Sequence, residues 1–251
     1  MTVRTFRGAA VYSCAVFALV AGRSAKAGAT LTVDDREIEV AASVTEGFNS
    51  SGIGPSSFFP PALGSSWNVG SDTGLVVSNP AGDAESSAIA VHNSSFDSAP
   101  MFSMVTASGT ANAYGSVDAF ATSADAQSNA DSVFDIQFTI TSPQDWSITA
   151  MTDDEGSGST ARVRLRPVGG SDIFILQGDG VMNGSDSGTL PPDDYQLIGE
   201  AKAVGFASTI GSSFFNKDAA FSFEFSIVPE PVSGMLVLVA APLIVRRRIR
   251  K

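Results

Sequence analysis

The chain has 251 residues, enough for one large all-β domain or two small ones, with a formal net charge of −11. Its charge is unevenly placed: from Asp34 to Glu224 there are 25 acidic residues against six basic ones, Arg36, Arg162, Arg164, Arg166, Lys202 and Lys217. A body near −19 (6 − 25) repels phosphate backbones, which excludes nucleic acid as an expected partner.

In chain order, the first feature is a basic start, Arg4 and Arg7, then the apolar run "GAAVYSCAVFALVAG", then Ala25-Lys26-Ala27. Positive charge, apolar run and small-x-small residues in that order predict a signal peptide, residues 1–27, cut by signal peptidase after Ala27. The only cysteine, Cys14, lies inside the apolar run, so the trimmed chain has no thiol and no disulfide.

Residues 28–228 are read as one domain. Strands are expected at 29–33 and 36–46, followed by a long irregular loop over 49–72 that carries Phe58, Phe59 and Trp67. Flat rings in loop sequence are a candidate platform for the CH faces of sugars, with extracellular polysaccharide as the ligand class. Further strands are expected at 74–78, 87–92 and 110–122, the last with a face of small residues from Ala111 to Ala121. Phe134, Ile136, Phe138 and Ile140 alternate with polar residues, as do Trp146, Ile148 and Ala150 beyond the turn Ser142-Pro143-Gln144-Asp145, and the two are read as a hairpin with Trp146 in the core. Val163 and Leu165, "DIFILQ", "DDYQLIGEAKAVG" and Phe221 to Ile227 supply the remaining strands. About ten or eleven strands with Gly-, Asp- and Pro-rich turns predict an antiparallel β-sandwich of jelly-roll-like topology. The segment "SGTLPPDDYQLIGEAKA" resembles the penultimate-strand pattern of sugar-binding-like sandwiches in exported bacterial proteins.

No catalytic constellation emerges. The single histidine, His92, reads as a strand-edge residue, and no Gly-x-Ser-x-Gly elbow accompanies it. Two acidic turns offer hard oxygen ligands that suit calcium: Asp153, Asp154 and Glu155 in "TDDEGSGS", and Asp179, Asn183 and Asp186 in "QGDGVMNGSDSG". Neither has the spacing of a helix-loop-helix calcium loop, and solvated turn acids are the preferred reading, so no cofactor is required. The alternative to a non-catalytic protein is a secreted carbohydrate-active hydrolase using paired carboxylates.

Residues 229–251 are distinct from the body. Pro229-Glu230-Pro231 precede 14 mostly apolar residues, Val232 to Val245, and then Arg246, Arg247, Arg248, Arg250 and Lys251. As a helix the apolar run covers about 21 Å against a hydrocarbon core of about 30 Å, and the arginines can snorkel to make up the difference while holding the tail on the cytoplasmic side. This order resembles the PEP-CTERM sorting signal of exported bacterial proteins. The resemblance implies recognition of Pro229, Glu230 and Pro231 by an exosortase, transient single-pass anchoring through a C-terminal transmembrane helix, loss of the tail, and delivery to the cell surface or extracellular matrix, often among exopolysaccharide.

Overall fold

In a computed structural model, residues 28–47, 49–79 and 82–228 are described, and the expected signal helix and transmembrane helix both lie outside them. Among the described residues every regular element is a strand: β1 Ala29–Asp34, β2 Glu37–Glu46, β3 Asn49–Phe58, β4 Trp67–Asn79, β5 Gly82–Phe96, β6 Met101–Phe102, β7 Met104–Ile140, β8 Gln144–Asp154, β9 Ser159–Pro167, β10 Phe174–Gln177, β11 Met182–Leu190 and β12 Asp193–Val228. All pairings are antiparallel, within one continuous sheet.

Two strands, β7 and β12, organise the fold. They pair along almost their whole length, from Ser226↔Met104 to Asp193↔Ile140. Midway, four residues of β7 (120–123) lie between the partners of Gly211 and Thr209, where β12 has Ile210 alone. Such an unequal count is a bulge, and bulges bend strands. The inward-facing residues of β7 change there from odd to even, from Val105, Ala107, Ala111, Ala113 and Val117 to Ala124, Ala126, Ala130, Phe134 and Ile136. The sheet therefore folds over on itself. One half has the order β4-β5-β7-β12-β8-β11, and the other β3-β2-β7-β12-β9-β10, with β1 continuing the line of β2 along β7.

Side-chain size follows this fold. Near the bend the enclosed face carries Ala119, Ala124, Ala126, Ala203 and Ala207, with Phe215 as the one large ring, lying over Gly115 and Gly205. A Cβ at Gly205 would fall 1.8 Å from the Phe215 ring. Farther away the half-sheets enclose aromatics: Phe134 meets Phe223 edge-on at 5.1 Å, and Phe138 contacts Phe225 and Tyr195, each at 5.7 Å. Close-packed interiors leave no voids, so small residues belong where the layers are close and rings where they diverge. The Tyr195 hydroxyl donates to the Pro191 carbonyl at 2.9 Å, a corner that locks the entry to β12.

Two expectations are corrected. Phe134 to Ile140 and Trp146 to Ala150 do not form a hairpin: the first stretch pairs with β12 residues 193–199 in one half-sheet, and β8 pairs with residues 219–228 in the other. The turn between them crosses from layer to layer. Residues 49–72 are also not one loop, since β3 and the start of β4 occupy most of them. Their Gly, Ser and Asn residues satisfy backbone bonds at the margins of the sheet while burying little. Trp146 is in the core, as expected.

Candidate functional site

The most unusual chemistry lies in the interior, at the end of β1. Asp34 ends β1 and Arg36 is the second residue of the two-residue connection to β2, with its side chain 0% exposed. Its Nε donates to Asp34 Oδ1 at 2.6 Å, Nη2 to Asp34 Oδ2 at 2.7 Å, and Nη1 to Ser94 Oγ at 2.7 Å. Asp34 Oδ2 also accepts from the Gly64 amide at 2.8 Å. Aromatic faces complete the cage, with the guanidinium carbon 5.9 Å from the Trp67 ring and 5.3 Å from Phe96. Such rings attract a cation through their quadrupoles.

Ser94 extends this network to His92. Its oxygen accepts from Arg36 and shares a 3.0 Å hydrogen bond with His92 Nε2, and the other ring nitrogen, Nδ1, shares one of 3.2 Å with Ser132 Oγ. His92 is wholly buried in β5, which is flanked by β4 and β7, so it is not a strand-edge residue. Burial, and then the positive charge of Arg36, push its pKa down to about 3 against a smaller opposing effect of Asp34. A serine bonded to a histidine is the geometry of an activated nucleophile, but a base this weak is poorly matched to that role near neutral pH. General bases work best with a pKa near the operating pH, and this imidazole holds a proton only in acid. The Ser94 oxygen is also engaged by a guanidinium. The cluster is a polar staple that ties the β1–β2 connection, the 62–66 turn region and β5 together.

Above the staple, on the outer surface of the β4-β5-β7 half-sheet, lies a groove of about 480 Å³. Register builds it: Asn68 sits opposite Asn93, Asn93 opposite Ser108, and Ser95 opposite Thr106. Ser95 Oγ and Thr106 Oγ1 share a hydrogen bond of 2.9 Å. Trp67, Ser94 and Ala107, whose side chains are buried on the inner face, lie in the row between these outward residues, and no lining residue is ionisable.

The structure separates the residues expected to act together. Phe58 and Phe59 are 42% and 62% exposed at the end of β3, whereas Trp67 is 7% exposed at the start of β4, its ring 4.8 Å from His92. Trp67 is part of the core and its rim, not of a loop-borne aromatic patch. Of the acidic turns, Asp154 is buried and accepts from the amides of Gly156 at 3.1 Å and Ala161 at 3.2 Å, so its carboxylate closes a turn. Asp186 Oδ1 accepts from the Ser187 amide at 2.8 Å, and Glu155, Asp179 and Asp186 are exposed. Among the described residues no three His, Cys, Asp or Glu side chains are grouped to hold a metal ion. Asp135 is held above the usual carboxylate range by burial, against two bonds from Gln196 Nε2 at 2.8 and 2.9 Å. Pro229, Glu230, Pro231 and the basic tail lie outside the described residues. Among the described residues no helix is long and apolar enough to cross a membrane.

The buried Arg36–Ser94–His92–Ser132 chain was not legible in sequence, because its members come together only through strand pairing. One partial signal existed: an arginine between two strand-forming stretches, in a body with few cations.

No family model matches the chain, and no curated protein matches it. Among solved structures it is similar to the enzymatically active domain of tailspike protein 4 of bacteriophage CBA120, at 13% identity over 64% of this chain. The TM-score is 0.20, and the match spans 19% of the tailspike chain. A likeness at that level carries no argument about activity.

Proposed function

We infer that this chain is an exported, non-catalytic surface or extracellular-matrix protein, sorted by an exosortase through a C-terminal PEP-CTERM signal and associated with exopolysaccharide. Its body is read as a jelly-roll-like β-sandwich. One observation carries the reading: Pro229-Glu230-Pro231, an apolar run and an arginine-rich terminus follow one another in that order. The first described strand begins at Ala29, two residues beyond the expected cleavage after Ala27, and the last, β12, runs to Val228, immediately before the tripeptide. The weak basicity of His92 supports the absence of catalysis by the Ser94–His92 pair.

The test replaces Pro229, Glu230 and Pro231 together by alanine in the producing cell. The altered chain is expected to stay in the membrane fraction with its basic terminus intact, while the unaltered chain is trimmed. Identical trimming and location of the two chains would refute the sorting assignment.

A further inference from the structure

Around the groove the outward-facing residues of the β4-β5-β7 half-sheet bear hydroxyl or amide groups, while farther along the same face carries Asp72, Asp83, Glu85 and Asp118 with Val76 and Ile89. On β7 the hydroxyl- or amide-bearing residues include Thr106, Ser108, Thr110 and Asn112, and on β5 Ser87, Asn93 and Ser95. Successive same-face side chains on a strand are about 6.8 Å apart, and neighbouring strands about 4.8 Å. The groove floor is therefore a lattice of fixed donors and acceptors, with Asn68, Asn93 and Ser108 in one row and Ser95 and Thr106 in the next. Its volume of about 480 Å³ lies within the range of small-ligand sites, about 300–1,000 Å³.

Charge selects the ligand class. A body with 25 acidic residues repels anions, and the groove offers no cation to offset that repulsion. Neither does it offer a carboxylate to hold a cation. What remains is recognition through hydroxyl and amide hydrogen bonds. The geometry points to a binding site for a neutral, hydroxyl-rich oligosaccharide segment in the groove formed by Asn68, Asn93, Ser95, Thr106 and Ser108 beside Trp67. This rests on the reading of the chain as an exported surface protein, and it replaces the Phe58, Phe59 and Trp67 platform expected from sequence.

The test is calorimetric titration of the intact chain with three neutral polymers, dextran, laminarin and galactomannan, and with the polyuronate alginate. At least one neutral polymer is expected to bind, with alginate silent. Asn93→Ala and Ser108→Ala should each weaken that binding by roughly tenfold, the scale of one lost hydrogen bond. Ser185→Ala, on β11 at the far margin of the same half-sheet, should leave it unchanged. Asn68→Ala repeats the test on the neighbouring strand if Asn93→Ala does not fold. Binding of no neutral polymer, or equal binding by the groove variants and the unaltered chain, would overturn the assignment. A chain that is exported and trimmed yet binds none of them defeats the groove alone, whereas a chain kept in the cytosol defeats the functional reading on which it rests.

Discussion

Arg36 and Asp34, two positions apart, form a bidentate ion pair with side chains 0% and 3% exposed. Removing one partner leaves a buried charge without its counter-ion, which costs about 3–5 kcal/mol. Asp34→Ala is expected to destabilise the body by that amount in chemical denaturation. It also removes the acceptor of the Gly64 amide. A loss below about 1 kcal/mol would show that the pair contributes little to the fold.

His92 makes stability depend on pH. Its folded pKa, about 3, is below the ordinary 6.5, so between those values the unfolded chain binds the proton and the folded chain does not. Stability is then fully present above about pH 6.5 and is lost as pH falls toward 3, by up to about 1.4 kcal/mol per pH unit from this residue. His92→Gln removes that component. Asp135, raised in the folded state, acts in the opposite direction, gaining stability on acidification. The difference between unaltered and His92→Gln unfolding curves isolates the histidine, and equal slopes from pH 6.5 to 4 would contradict its buried neutral state.

Gly205 and Phe215 share one space near the bend. Gly205→Ala places a Cβ 1.8 Å from the ring, so the ring or the backbone must move. Overpacking of this kind costs about 1–3 kcal/mol. Thermal unfolding should show that loss, and Phe215→Leu in the same chain should recover part of it. An additive double variant would argue against the contact.

Glu46 points inward at the end of β2, fully buried, and neither carboxylate oxygen has a hydrogen-bond partner among the described residues. A buried acceptor left unsatisfied costs about 1–3 kcal/mol or more. Glu46→Met is therefore expected to stabilise the body by about that amount in a denaturant titration. A loss of stability would show that the carboxylate serves a contact.

Some of these features were readable in advance. Phe221 to Ile227 and Trp146 to Ala150 alternate strictly, and each is a strand with the expected face buried. Alternation reports which face is buried but not which strand lies alongside, so the 134–150 segment suggested a hairpin where the chain changes layer. β3 was unreadable for another reason. Residues such as Ser50, Ser51, Gly52 and Ser57 are exposed and make a strand through their ladder with β2, a long-range contact without a local apolar pattern. The 37-residue length of β7 was hidden likewise, because its central inward positions are Ala124, Ala126, Ser128, Ala130 and Ser132. The groove was invisible because Asn68, Asn93 and Ser108 are ordinary surface residues until the register aligns them.

An intact mass spectrum of the extracellular protein tests the central claim most directly. The account predicts a chain that starts at Gly28 and lacks the basic terminus from Arg246 to Lys251. A cytosolic chain carrying both Met1 and Lys251 would contradict it.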